Sequence, residues 1–125
     1  MFTLGIRRKF ESQHYLIGGN WGAENAPHAH DYELELRLEA KKLNRHGFLL
    51  DIVEINEQVD ELLKQFEGVM LNSLPEFEGI NPSLERFSRI LCASIAKRIR
   101  TENLKSIQVI LWESESAWAS YRLEF

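Results

Sequence analysis

The spacing of hydrophobic residues changes twice along this chain and divides it into three parts. Up to about residue 40, apolar side chains recur at every second position, which is typical of strands with one buried face. Between residues 52 and 99 they recur every three or four positions, as in amphipathic helices. The alternation returns after residue 105. The pattern therefore predicts a strand hairpin, a pair of helices and a second hairpin.

Turn and capping residues give these elements approximate bounds. Gly18 to Pro27 is rich in glycine and asparagine and predicts a loop of about ten residues. Gly68 predicts the end of the first helix, and Asn81-Pro82 supplies a cap and a first-turn proline for the second. The predicted elements are strands over 1–16 and from 28 to about 44, helices over 52–66 and from 82 to about 99, and strands over 106–113 and 117–125.

This order predicts an α+β fold in one domain over residues 1–125. Four strands and two helices in the order β-β-α-α-β-β fit a four-stranded antiparallel sheet with both helices on one face. Such a sheet has two open edges and is too small to close alone. Pairing with copies of itself is one way to cover them, so we expect a ring-shaped homo-oligomer.

Charge and composition exclude several classes of partner. Fifteen basic and nineteen acidic residues give a net charge of −4, and the longest basic run is Arg7-Arg8-Lys9, which disfavours nucleic-acid binding. No apolar run is long enough for a membrane span, and the N-terminal charges follow the apolar residues, the reverse of a secretory signal. We therefore expect a cytosolic protein. A single cysteine, Cys92, excludes an intrachain disulfide and a cysteine-only metal site.

Three histidines share the buried parity of the first hairpin. His28 and His30 are two residues apart on a predicted strand, so both side chains project from one face. His14 has the same parity near the end of the preceding strand, and an antiparallel hairpin would bring it across from them. Three neutral imidazoles with one open position describe a catalytic zinc site. The alternative is a polar surface near a loop.

Two glutamates stand out beside the histidines. Glu113 continues the buried parity of the third strand, where a carboxylate needs donors; it can accept two parallel N–H bonds from a pterin or guanine, or it can pair with an arginine and cap the turn. Glu24 lies in the loop, four residues before His28, and is either a general base for the metal site or a solvated side chain.

At this point the chain resembles the family of 6-pyruvoyl-tetrahydropterin and 6-carboxytetrahydropterin synthases, which has the tunnelling fold. The resemblance covers nearly the whole chain, and its motifs are specific in their order and spacing. They are His14, His28-Ala29-His30-Asp31-Tyr32, Gly47-Phe48-Leu49-Leu50-Asp51, Leu71-Asn72, Asn81-Pro82-Ser83-Leu84-Glu85 and Glu113-Ser114.

The resemblance implies zinc on His14, His28 and His30, a pterin held by Glu113, and trimers stacked into hexamers with sites at subunit boundaries. Family members act on 7,8-dihydroneopterin triphosphate. Synthases of the family place a catalytic cysteine before the His-x-His pair, where this chain has Glu24. Their Asp-His proton-relay dyad matches Glu67 and Gly68 here, so both usual proton carriers are missing.

One branch of the family carries glutamate instead of the cysteine and cleaves the pterin side chain to give 6-hydroxymethyl-7,8-dihydropterin. Its glutamate is typically three residues before the first histidine, whereas Glu24 is four before. The sequence predicts a zinc-dependent pterin lyase with Glu24 as base. The alternatives are a homologue that binds zinc and a pterin or purine without turnover, and a scaffold with a structural metal.

Overall fold

A computed structural model describes residues 1–125, and its elements follow the predicted order. The sheet order is β1-β2-β3-β4 and every neighbouring pair is antiparallel. The four-stranded antiparallel sheet with two helices is therefore confirmed. The bounds are β1 Phe2–His14, β2 His28–Ala40, α1 Ile52–Leu63, α2 Leu84–Ile99, β3 Leu104–Trp112 and β4 Trp118–Glu124, with 3-10 turns at Gly22–Asn25, Leu71–Ser73 and Pro75–Phe77.

The core lies between the helices and one face of the sheet. Leu34, Leu36 and Leu38 of β2 are at most 1% exposed, as their alternation predicts, and they form one cluster with the inward residues of β3 and of both helices. Phe87 of α2 lies at the centre of an aromatic group. Its ring centroid is 5.3 to 5.8 Å from those of Phe10, Tyr32, Phe66 and Phe77.

The opposite face of the sheet is mostly polar, but one of its carboxylates is buried. Glu35 is 6% exposed because the side chains of Arg7 and Arg37 lie over it, with N–O distances of 3.2 and 2.5 Å. Alternation correctly places Glu35 on this face, and the two arginines supply the donors that a buried carboxylate requires. The face predicted to be wet is therefore partly covered by its own ion pairs.

Both helices begin at capping side chains. The Asp51 carboxylate accepts from the Val53 N–H, and the Ser83 hydroxyl accepts from the Arg86 N–H directly after Pro82. Neither helix is long and apolar enough to cross a membrane.

The first helix is three residues shorter than predicted. It ends at Leu63 and not at residue 66, because the N–H groups of Gln65 and Phe66 bond to carbonyls three residues back. Gly68 then takes a φ of +66° and donates to the Glu11 carbonyl at 2.7 Å. The chain therefore leaves the helix after Leu63 and turns to contact β1.

The first hairpin extends beyond the third strand. β1 pairs with β2 along its whole length, from Phe2–Ala40 to His14–His28, whereas β3 pairs with β2 only as far as Glu33–Trp112. Residues 28–32 of β2 therefore have a partner strand on one side only. The three histidines lie in this projecting end.

Replacement of Phe87 by alanine tests the aromatic centre. Because Phe87 is fully buried and contacts four rings, we expect Phe87→Ala to lower the free energy of unfolding by about 3 to 5 kcal/mol, measured by urea denaturation. Val53→Ala, on the exposed side of α1, serves as the control and should change it by less than about 0.5 kcal/mol. A loss below about 1 kcal/mol in Phe87→Ala would contradict this account of the core.

Candidate metal centre

The structure brings the three predicted histidines together. His14 is the direct antiparallel partner of His28, and His30 lies on the same face two residues along β2. Their ring centroids are 4.5 to 4.9 Å apart, and one ligand nitrogen of each lies within 4.8 Å of the other two. His14 is buried, while His28 and His30 are half-buried. The cluster therefore opens on the side of β2.

The surroundings of the two ring nitrogens of His28 show how its imidazole is oriented. Nδ1 of His28 lies 2.8 Å from the Ala26 carbonyl, which can only accept, so this nitrogen carries the proton. Nε2 of His28 is then an unprotonated acceptor; it is buried and has no partner. A buried nitrogen lone pair without a donor is costly, and a divalent ion would satisfy it. The cluster thus fits a zinc ion.

The surroundings of His14 keep this histidine uncharged. Desolvation by burial, and next the charges of His28 and His30, lower its pKa from 6.5 to about 4. His14 is consequently neutral at pH 7, as a metal ligand must be.

Glu113 lies directly after β3, beside the projecting end of β2. Its N–H donates to the Ala117 carbonyl at 3.1 Å, and the residue is half-buried. The ion pairs of the structure involve other acids, so the predicted alternative of an arginine partner for Glu113 is not seen. Glu113 lines an open cavity of about 700 Å³ together with His30, Tyr32, Trp112, Arg7 and Lys9.

Glu24 lies in the 3-10 turn of the loop between β1 and β2. Its backbone is fixed: the carbonyl accepts from the Leu16 N–H at 2.9 Å, and the N–H donates to the Trp21 carbonyl at 3.3 Å. Its side chain is exposed and is not among the groups that meet in the histidine cluster. The loop is thus ordered beside the site, with the carboxylate free of protein partners.

Asparagines hold this loop from three sides. The Asn72 amide bonds both the N–H and the carbonyl of Tyr15, at 3.0 and 2.9 Å, and Asn81 does the same to Ile17, at 2.7 and 3.1 Å. Within the loop, Asn25 accepts from the Trp21 N–H and donates to the Leu16 and Gly19 carbonyls. Each side chain replaces the backbone partner that a strand would have supplied. The Leu-Asn and Asn-Pro motifs were visible in the sequence, but these long-range partners were not.

The positions that match the dyad of the family contact the edge of β1. A Glu67 carboxylate oxygen accepts from the Glu11 N–H at 3.0 Å, and the next residue, Gly68, donates to the Glu11 carbonyl. Glu67 is not part of the histidine cluster. These two residues therefore extend the pairing of β1.

Tyr32 is a residue of this region for which the sequence predicts no role. It lies on the buried face of β2 and is 2% exposed. Its hydroxyl lies 3.2 Å from Nδ1 of His14. The sequence signal that could have indicated a role is a polar aromatic residue two positions after the His-x-His pair.

The antiparallel sheet, with two helices on one face and this site at the end of the first hairpin, is a tunnelling-fold domain. The family model for 6-pyruvoyl tetrahydropterin synthase matches residues 3–124, so the chain belongs to that family. An Archaeoglobus fulgidus protein named "Putative 6-carboxy-5,6,7,8-tetrahydropterin synthase" is 24% identical over 119 residues, which are 95% of this chain and 94% of that protein.

Solved structures agree with the fold at low sequence identity. Caenorhabditis elegans 6-pyruvoyl tetrahydropterin synthase has a TM-score of 0.84 at 14% identity, over 98% of this chain and 96% of that one. A catalytic-residue mutant of Plasmodium vivax 6-pyruvoyltetrahydropterin synthase, glutamate to alanine, has a TM-score of 0.82 at 15% identity, over 99% and 98% of the two chains.

The lowered pKa of His14 predicts a pH-dependent stability of the metal-free protein. Between pH 6.5 and 4 the unfolded chain binds a proton at His14 that the folded chain does not, so acidification favours unfolding. The contribution of neutral His14 to the free energy of unfolding is complete above about pH 6.5 and is lost as the pH falls through about 4. Urea denaturation in the presence of a chelator, at several pH values across this range, measures it.

The control for this experiment is His14→Gln, which removes the titrating ring and leaves the carboxylates unchanged. We expect the free energy of unfolding to fall more steeply with acidification in the wild type than in His14→Gln. Parallel curves for the two proteins would contradict the lowered pKa.

Proposed function

We propose that this protein is a zinc-dependent lyase that acts on 7,8-dihydroneopterin triphosphate or a related pterin. The observation that carries the proposal is the histidine cluster with its unpartnered nitrogen, next to a cavity that holds a carboxylate without an ion-pair partner. Membership of the 6-pyruvoyl tetrahydropterin synthase family supports the substrate class.

His14, His28 and His30 are the proposed zinc ligands, and Nε2 is the coordinating atom of His28. A zinc ion held there would polarise a hydroxyl of the substrate side chain and make its proton easier to remove. Nδ1 of His28 is already occupied by the Ala26 carbonyl, which orients the ring toward the cluster.

Glu113 is the proposed binding residue for the heterocycle. Its carboxylate accepts two parallel N–H bonds, one from the exocyclic amino group and one from the ring N–H of a pterin. Lys9 lines the same cavity and is a candidate for the triphosphate, as is Arg7, which also lies over Glu35 but is largely exposed. Arg8 instead pairs with Asp60 on the helix side of the sheet.

Glu24 is the proposed base, in the position where family synthases have cysteine. Glu24 removes the proton of the hydroxyl on the second side-chain carbon, and the bond from this carbon to the first breaks. The second carbon leaves as the carbonyl of an aldehyde that carries the triphosphate, and the bonding electrons stay on the first carbon, delocalised into the pterin ring. The protonated carboxyl then returns the proton to the carbon that remains on the pterin. The catalytic-residue mutant of the Plasmodium vivax enzyme, which replaces a glutamate, supports a carboxylate in this role.

The assembly we propose is a homo-oligomer, a trimer or a hexamer, with each site completed at a subunit boundary. The open edge of β4, and that of β1 ahead of Glu11, support this arrangement. We also propose that the protein is cytoplasmic and has no nucleic-acid or membrane partner.

A catalytically silent homologue that binds zinc and a pterin or purine is the second candidate. Two observations favour it. Glu24 is exposed and lies outside the cluster, and Glu67 is occupied by the backbone of β1.

Product analysis with Glu24→Gln separates the two candidates. For the lyase, we expect the wild type to contain zinc and to convert 7,8-dihydroneopterin triphosphate to 6-hydroxymethyl-7,8-dihydropterin. Glu24→Gln should keep its zinc but lose about 100-fold or more in turnover, because general acid–base catalysis has been removed. Chromatography of the products and metal analysis provide both measurements.

Glu57→Gln is the matched control, since Glu57 is an exposed acid on α1 that is remote from the cavity. It should retain full activity. Full activity in Glu24→Gln would reject the base assignment. Zinc with an unchanged pterin in the wild type would identify the silent homologue, and wild type without zinc would reject both candidates.

Binding of neopterin tests Glu113. We expect Glu113→Gln to weaken binding about 10- to 100-fold, because it removes a hydrogen bond to a charged acceptor. Glu115→Gln, in the same cavity wall, is the control and should bind normally. Lumazine, which has an oxygen in place of the amino group, should bind weakly to the wild type and better to Glu113→Gln, whose amide can donate to that oxygen and accept from the ring N–H. A guanosine titration shows whether the site prefers purines.

A further inference from the structure

Tyr32 lies between the hydrophobic core and the histidine cluster. Its ring stacks on Phe10 at 5.3 Å with an interplanar angle of 20° and meets Phe87 edge-on at 5.4 Å. The residue is 2% exposed, so its hydroxyl has a fixed position. Core packing therefore determines where this polar group lies.

The hydroxyl needs a hydrogen-bond partner because it is buried. The one that the structure provides is Nδ1 of His14, at 3.2 Å. Either the hydroxyl donates to an unprotonated Nδ1, or Nδ1–H donates to the hydroxyl oxygen. In the first case Nε2 carries the proton and cannot bind a metal. In the second case Nε2 is a free ligand.

A metal at the cluster selects the second arrangement. Only when Nδ1 carries the proton does Nε2 of His14 have a free lone pair for an ion. The buried hydroxyl oxygen of Tyr32, which has Nδ1 of His14 as its partner, then accepts from Nδ1–H.

We propose that Tyr32 is a positioning residue of the metal centre, whose hydroxyl accepts from Nδ1–H of His14 and holds this histidine in the tautomer that presents Nε2 to the ion. The inference rests on the proposed function, because it requires a metal at the cluster. It assigns His14 the same arrangement that the Ala26 carbonyl gives His28. Outer groups of this kind change metal affinity without touching the ion.

Tyr32→Phe tests this role, since it removes one oxygen and keeps the ring between Phe10 and Phe87. We expect zinc affinity, measured by competition with a chromophoric chelator, to fall about 10- to 100-fold. Tyr121→Phe is the matched control, because it removes a hydroxyl from a partly buried tyrosine packed against the core on β4. Its zinc affinity should equal that of the wild type.

The imidazole nitrogen shifts of His14 give a second measurement that loss of packing alone would not mimic. Two-bond proton–nitrogen spectra of the metal-free protein should show Nδ1 protonated in the wild type and a mixture of tautomers in Tyr32→Phe. Equal zinc affinity in Tyr32→Phe and wild type, or a wild-type His14 protonated on Nε2, would overturn the proposal. A wild type that binds no zinc would instead reject the proposed function.

Discussion

The antiparallel register of β1 and β2 is the constraint on which the rest of the structure depends. It places His14 opposite His28 and puts Leu34, Leu36 and Leu38 under the helices in the same pairing. A slip of one residue would turn the apolar row toward solvent and move His14 away from the other two histidines. The burial of the leucines therefore also determines that these histidines meet at the candidate metal centre.

The boundary between the core and the site is narrow, and Tyr32 occupies it. On one side its ring belongs to the aromatic group around Phe87, and on the other its hydroxyl reaches His14. Because β3 pairs with β2 only as far as Glu33–Trp112, the segment of β2 that carries His28 and His30 is open toward the cavity. The site thus has a rigid base and one accessible side, as a metal centre that admits a ligand requires.

Local periodicity was sufficient to predict the sheet, the helices and the shared face of the three histidines, because side-chain direction in a strand follows from sequence parity alone. Features set by distant contacts were not predictable. After Leu63 the N–H groups of Gln65 and Phe66 bond three residues back, and Gly68 then bonds to β1. Glu35 is buried because arginines from two strands lie over it. The two bonds from Asn72 to Tyr15 span 57 positions of sequence.

Two of the residues that depart from the family pattern have a structural role at the edge of the sheet. With Glu67 and Gly68 bonded to Glu11, the dyad positions maintain the edge of β1, and proton transfer there would compete with strand pairing. That leaves Glu24 as the one substituted position whose carboxylate has no protein partner. Its backbone is fixed by Leu16 and Trp21, and its neighbour Asn25 ties the loop together. Bringing the carboxylate to a bound ligand would therefore require ordering one side chain but not the loop, which keeps the entropic cost small.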